Sequence, residues 1–239
     1  MNKTVGVLGG MGPLATAMFL QKVVTATPAT RDQEHIDMIT YSMPSIPDRT
    51  AYIKNNHNEN PLAYLEKHLT SLAKHTDFIV IPCMTAMYFY DQIRHCADVV
   101  NFPELVINHA LAKGYQNLGV LGTDGTVVGR VFDKQNVSKT NLVYPDTSHQ
   151  QKLMKMIYDD IKKGEKILEI ADFLAINAHM KEKEADVLLL ACTELSIIND
   201  QHNLTGNHRI DGMLPCIDVL DVLAEEVVRR AHIKTAVKR

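Results

Sequence analysis

The sequence predicts an α/β fold of two pseudosymmetric lobes, each a parallel sheet flanked by helices, with a site between them. Two observations carry that prediction. Short continuous apolar runs alternate with amphipathic segments, the pattern of strands buried on both faces beneath covering helices. The chain also repeats itself. Residues 77–85 (DFIVIPCMT) and 186–194 (DVLLLACTE) each pass from an acid through an apolar run to a cysteine, and residues 6–12 and 119–125 each carry Gly-Val-Leu-Gly with a glycine three positions on. Cys83 and Cys192 stand 109 positions apart, and Gly12 and Gly125 stand 113 apart. Near-equal offsets from independent motifs mark a duplicated half.

Strands are expected at 4–9, 36–42, 78–82, 118–122, 141–144 and 187–191, where apolar residues run together. Between them lie helical stripes: Leu62, Leu65, Leu69 and Leu72; Ile167, Ala171, Leu174 and Ala178; and Val219, Leu223 and Val227. The boundary between lobes is expected between Asn101 and Asn108. The first lobe then covers 1–105, the second 106–210, and residues 211–239 pack back on the first.

The 239 residues are 46% hydrophobic and 22% charged, ordinary for a soluble globular chain and enough for a core without covalent staples. With a net charge of −3 and no basic face strong enough to argue for nucleic acid, no nucleic-acid partner is expected. Arg229-Arg230 and Lys238-Arg239 read as a solvated helix end. The apolar runs are too short to span a bilayer, and the first residues lead straight into a strand, so neither membrane nor secretory leader is expected. Four cysteines without a Cys-x-x-Cys pair read as free thiols in a reducing, cytoplasmic compartment. The eleven histidines form no His-x₃-His or Cys/His set, so no metal is expected.

Residues 9–15 (GGMGPLA) follow the first strand and open a helix. They fit a dinucleotide fingerprint formally, but the second strand ends at Ser42-Met43-Pro44 without the acid that would hold a ribose. The better reading is a tight turn through Met11 and Gly12 that aims bare N–H groups at a small carboxylate, with Pro13 suited to the first helical position. Gly119 to Gly125, followed by Thr126, forms the mirror turn.

Each of Cys83 and Cys192 sits past the carboxyl end of a central strand, where open α/β sheets bind ligands, and close to a helix start that favours thiolate. A hydroxyl follows each, Thr85 and Thr193. Cys96 and Cys216 lack such a counterpart and read as packing. Two thiols facing one small carboxylic acid suit inversion at the carbon next to the carboxyl group. One thiolate removes the Cα proton and the opposing thiol delivers another, while preorganised donors hold the carboxylate. A pyridoxal enzyme needs a Schiff-base lysine and a phosphate cup, and no motif argues for either, so no cofactor is expected.

Residues 9–16 (GGMGPLAT), 31–35 (RDQEH), 46–50 (IPDRT) and 192–195 (CTEL) together resemble the aspartate/glutamate racemase superfamily, most closely its aspartate racemase branch. The resemblance runs over essentially the whole chain. It implies a cofactor-independent racemase of small acidic amino acids, usually a homodimer, with Cys83 and Cys192 as the two bases. It further implies that Arg49 and Lys162 grip the distal carboxylate. Met11, Gly12, Thr85, Thr126 and Thr193 then contact the substrate, and Glu194 tunes its neighbouring thiol or meets the ammonium.

One motif departs. The family's Pro-Cys-Asn-Thr-Ala-His is Pro82-Cys83-Met84-Thr85-Ala86-Met87 here. Met84 replaces an amide that donates and accepts with a weak acceptor, a loss of about 1.5–3 kcal/mol and a change that admits a different side chain. Two alternatives follow: a related carboxylic-acid isomerase or decarboxylase using one cysteine, and a non-catalytic amino-acid-binding protein.

Overall fold

A computed structural model describes residues 3–55, 57–164, 170–206 and 210–231. Ile167 and Lys238-Arg239 lie outside the described residues. The first half runs through β1 (Val5–Gly9), α1 (Pro13–Ala26), β2 (Met38–Ser42), α2 (Arg49–Lys54), α3 (Leu62–Leu72) and β3 (Phe78–Val80). A 3₁₀ segment (Met84–Phe89), α4 (Tyr90–Ile93) and α5 (Phe102–Ala112) complete it. The second half runs through β4 (Asn117–Val120), α6 (Asp124–Val128), α7 (Val131–Gln135), β5 (Asn141–Val143) and α8 (Thr147–Lys155), which continues as a π-helical turn (Met156–Ile161). Then follow α9 (Ala171–Glu182), β6 (Val187–Leu190), α10 (Leu195–His202), β7 (Cys216–Asp218) and α11 (Val219–Ala231).

Every strand pairing is parallel, in the orders β2-β1-β3 and β5-β4-β6-β7. The duplication is visible in the pairing: β1 lies between β2 and β3 as β4 lies between β5 and β6. It extends to a fourth position, because Val99 bridges Ile79 of β3 as β7 pairs with β6. Central strands β1, β3 and β6 are buried along their whole length, as their continuous apolar sequences require, whereas edge strand β2 is only half-buried. At Gly10, φ of +88° turns the chain where a Cβ would lie 2.3 Å from the Met43 nitrogen, so only glycine fits.

All six expected strands are present, and β7 is an addition too short to betray itself by periodicity. Its place corrects the expectation for residues 211–239. β7 joins the second sheet, while α11 packs on α1 and α5 and buries Val219, Leu223 and Val227. The stretch expected as the boundary, 101–108, contains the start of α5, with Phe102, Pro103, Val106 and Ile107 buried. Helix α9 stands where the 171–178 stripe put it, but it buries Phe173, Ile176 and Met180 rather than Ala171 and Ala178. The larger side chains remove more apolar area from water and decide the face. One apolar core runs from the first sheet to one side of the second, and a smaller one fills the other side. Among the described residues no helix is long and apolar enough to cross a membrane.

Candidate active site

Strands β3 and β6 deliver Cys83 and Cys192 to the same place. Both thiols line one narrow cleft between the halves, together with Met11, Arg49, Met84, Thr85, Lys162, Thr193 and Glu194. Both are free and buried. Nine of the eleven residues expected at the site therefore meet there; Gly12 and Thr126 do not.

The Cys192 thiol donates to Oε2 of Glu194 at 3.0 Å, and the Thr193 hydroxyl donates to the same oxygen at 3.3 Å. Burial first, then the Glu194 charge, pushes the Cys192 thiol well above its ordinary value, against a weaker pull from Lys162. Against the expectation that the following helix start favours thiolate, burial and a neighbouring carboxylate hold the proton on this sulfur. Glu194 is 5% exposed, and its Oε1 is a buried acceptor without a hydrogen bond. The nearest cation is Lys162, with Nζ 3.6 Å from Oε1 and 4.1 Å from the Tyr158 ring centre. Burial alone would lower Lys162, but Glu194, Cys192 and Tyr158 raise it, so the amine is held as ammonium.

Tyr158 stands on the π-helical turn that ends as the Lys162 N–H reaches back to the Ile157 carbonyl at 3.0 Å. Such turns cluster at functional sites because they push a side chain off the helical register. The Tyr158 hydroxyl donates to Oδ2 of Asp48 at 3.2 Å, and burial pushes its phenol up to about 12.

Arg49, at the start of α2, is buried beside Cys83. Its Nη1 donates to the carbonyls of Ile46 (3.2 Å) and Pro47 (3.0 Å), and its Nη2 to that of Met11 (3.0 Å), leaving Nε–H unpartnered. Burial opposes its charge, but Cys83 and Asp48 raise it. Three backbone carbonyls thus occupy the guanidinium that the resemblance assigns to a distal carboxylate.

At the far end stands a cluster of hydroxyls. Thr85 Oγ1 lies 2.9 Å from Thr123 Oγ1 and 3.1 Å from Thr126 Oγ1, and Thr50 donates to Thr123 at 3.2 Å. Thr126 is fully buried behind Thr85 and Thr123, so its hydroxyl supports the cluster, whereas Thr123 and Thr50 face the cleft. Thr50, Thr123 and Tyr158 also line the cleft and are not marked as site residues by the sequence. Thr50 enters the sequence pattern only through the motif around Arg49. Tyr158 stands four residues before Lys162, a spacing that puts side chains on one helical face. Thr123 offered no signal, because its pseudosymmetric counterpart is a glycine.

The glycine turn plays another part. Thr16 Oγ1 accepts from the Gly10 N–H at 2.9 Å and donates to the Gly12 carbonyl at 2.9 Å, so the Gly10 donor is not bare. Pro13 does open α1. Met11, Gly12 and Leu14 line a wider groove of about 1110 Å³ outside the cleft, which shares Met11, Arg49, Lys162 and Glu194 with it. Met87 is buried and does not line the cleft.

Away from this site, folding brings His179 beside Asp146 and His149 at the start of α8. The two rings stack in parallel, 4° apart in plane and 4.0 Å between centres. An ion in the plane of one ring lies outside the plane of the other, so this arrangement does not converge on a metal.

The family described as Asp/Glu/Hydantoin racemase matches residues 8–227. Over 237 residues the chain is 27% identical to the broad specificity amino-acid racemase RacX of Bacillus subtilis (strain 168), covering 94% of this chain and 96% of that relative. Picrophilus torridus aspartate racemase superposes with a TM-score of 0.81 at 28% identity, covering 96% of this chain and 94% of that one. Glutamate racemase from Francisella tularensis, in complex with D-glutamate, shares the fold with a TM-score of 0.63 at 17% identity, covering 95% and 80%. A doubled sheet, a cleft between its copies and a sequence match from the first strand to the last helix agree: the chain belongs to the Asp/Glu/Hydantoin racemase family.

Proposed function

We propose that the protein is an amino-acid racemase that works without pyridoxal phosphate, using Cys83 and Cys192 as its acid–base pair. The observation that carries this reading is one cleft lined by both thiols. One thiolate takes the Cα proton, and the C–H electron pair moves into the substrate carboxylate. The opposing thiol then gives its proton to the other face of Cα, and the two sulfurs have exchanged states. Cys192, held protonated, enters as the acid, and the Arg49 guanidinium offsets charge on Cys83. The hydroxyls of Thr85 and Thr123 are donors for the carboxylate as its charge grows, and the buried Oε1 of Glu194 is an acceptor for the ammonium. Lys162, held as ammonium, is not the free amine a Schiff base requires. Free thiols suit a cytoplasmic setting, and the resemblance adds a homodimer.

The test is exchange of the substrate Cα proton for solvent deuterium, followed by NMR alongside chiral analysis of the product. Cys83→Ser and Cys192→Ser are each expected to slow racemisation about 10²–10⁴-fold, the usual contribution of one general acid or base. Full racemisation by either variant removes the two-base mechanism.

A further inference from the structure

Resting on the racemase reading above, we propose that the substrates are amino acids with neutral, apolar side chains rather than acidic ones. An acidic side chain needs a cation to meet it, and each of the three cations of the groove already has partners, the Arg49 Nε–H alone being left over. Arg49 gives both Nη atoms to backbone carbonyls. Lys162 faces Glu194 and the Tyr158 ring. Lys163 is 2.7 Å from Asp159. To bind a distal carboxylate, Lys162 must leave Glu194, a buried carboxylate that then has no counter-charge. Oε1 of Glu194, with Lys162 at 3.6 Å but no hydrogen bond, is an acceptor that repels an acid and suits the α-ammonium.

The walls point the same way. Ile46, Pro44 and Leu14 from one half face Ile161 and Ile197 from the other across the groove. Leu14, in the first turn of α1, is 53% exposed, an apolar side chain held in water at the rim. A ligand side chain of similar polarity covers it and gains from leaving water, whereas a carboxylate there loses its hydration. Inside the cleft, Met84 continues the apolar wall where its resembled family has an amide.

The experiment follows Cα deuterium exchange by NMR for L-methionine, L-leucine, L-aspartate, L-glutamate and L-lysine at equal concentration. kcat/KM for methionine or leucine is expected to exceed that for each charged substrate at least tenfold. Aspartate, glutamate or lysine exchanging as fast as the neutral pair overturns this proposal while leaving the racemase reading intact. Exchange with none of the five overturns both. In a second arm, Leu14→Lys, a change at an exposed position, is expected to narrow the methionine-to-aspartate ratio about tenfold by making the rim cationic; an unchanged ratio also overturns the proposal.

Discussion

At Cys192, burial and the Glu194 carboxylate both hold the proton on sulfur, against a weaker pull from Lys162 and from the Glu194 backbone N–H. Glu194→Gln removes one of the two holding forces and leaves the burial. Loss of a negative neighbour favours the negative form of the thiol, so the thiolate fraction at fixed pH rises and the reactivity profile moves to lower pH. Alkylation of Cys192 by iodoacetamide at pH 8 is expected to rise about tenfold, since a nearby charge commonly shifts such equilibria by that factor or more. Peptide mass spectrometry reads it, with the adduct at Cys83 in the same sample as reference. A rate at Cys192 no higher than in the unaltered protein contradicts the assignment of Glu194 as the group that sets this thiol. The motif placed Glu194 beside the cysteine, but the sign of its effect was not legible, because it depends on an exposure of 5% that only the tertiary structure creates.

Between elements, the close approach of α2 and α6 holds the cleft together. A Cβ on Gly125 would lie 2.7 Å from Thr50 Oγ1, 2.8 Å from Thr50 Cα and 2.8 Å from Thr85 Cγ2. One of these is backbone, which cannot swing aside. Gly125→Ala therefore pushes α2 from α6 and disturbs two residues of the cleft. Overpacking of this kind costs about 1–3 kcal/mol, a fall in melting temperature of about 2–12 °C for a chain of this size, and racemisation is expected to fall with it. Circular dichroism and the exchange assay check the pair of effects; unchanged melting with full activity contradicts the packing argument. In sequence this glycine reads as the end of an anion-binding turn. The repeat found the residue, but its use was hidden because Thr50 and Thr85 come from the other half of the chain. The same limit explains α9. Its position followed from periodicity, yet which stripe faced inward was decided by the bulk of Phe173, Ile176 and Met180 against the second sheet.

Across the whole molecule, duplication was the most legible property, because equal spacing of strands and cysteines needs no tertiary information. Features that break the symmetry were not legible, and the ionic cluster around Asp218 is the clearest. Asp218, at the end of β7, is buried and accepts from Ser196 (2.6 Å) and Asn199 (3.0 Å) on α10 and from the Leu220 N–H (2.9 Å) on α11. Lys22 of α1 stands 3.2 Å from it and also meets Asp221 and Asp200. One carboxylate thus fixes α1, α11 and the helix that directly follows Cys192-Thr193-Glu194. Asp218→Ala leaves the Ser196 and Asn199 side chains and the Leu220 N–H without their acceptor, while Lys22 keeps Asp221 and Asp200, and leaving a buried polar group unsatisfied costs about 1–3 kcal/mol, or about 2–12 °C of melting temperature. The pH dependence has a definite sign. Burial alone would lower Lys22, but Asp218 and Asp221 raise it above its ordinary value. A cation raised in the folded state stabilises fully below its unfolded value, near pH 10.4, and that stabilisation is lost as pH climbs from there through the folded value. The difference in melting temperature between the parent and Asp218→Ala is therefore expected to be constant across neutral pH and to shrink above about pH 10. Equal melting at pH 7, or a gap that widens in alkali, contradicts the view that this buried charge joins the two halves behind the second cysteine.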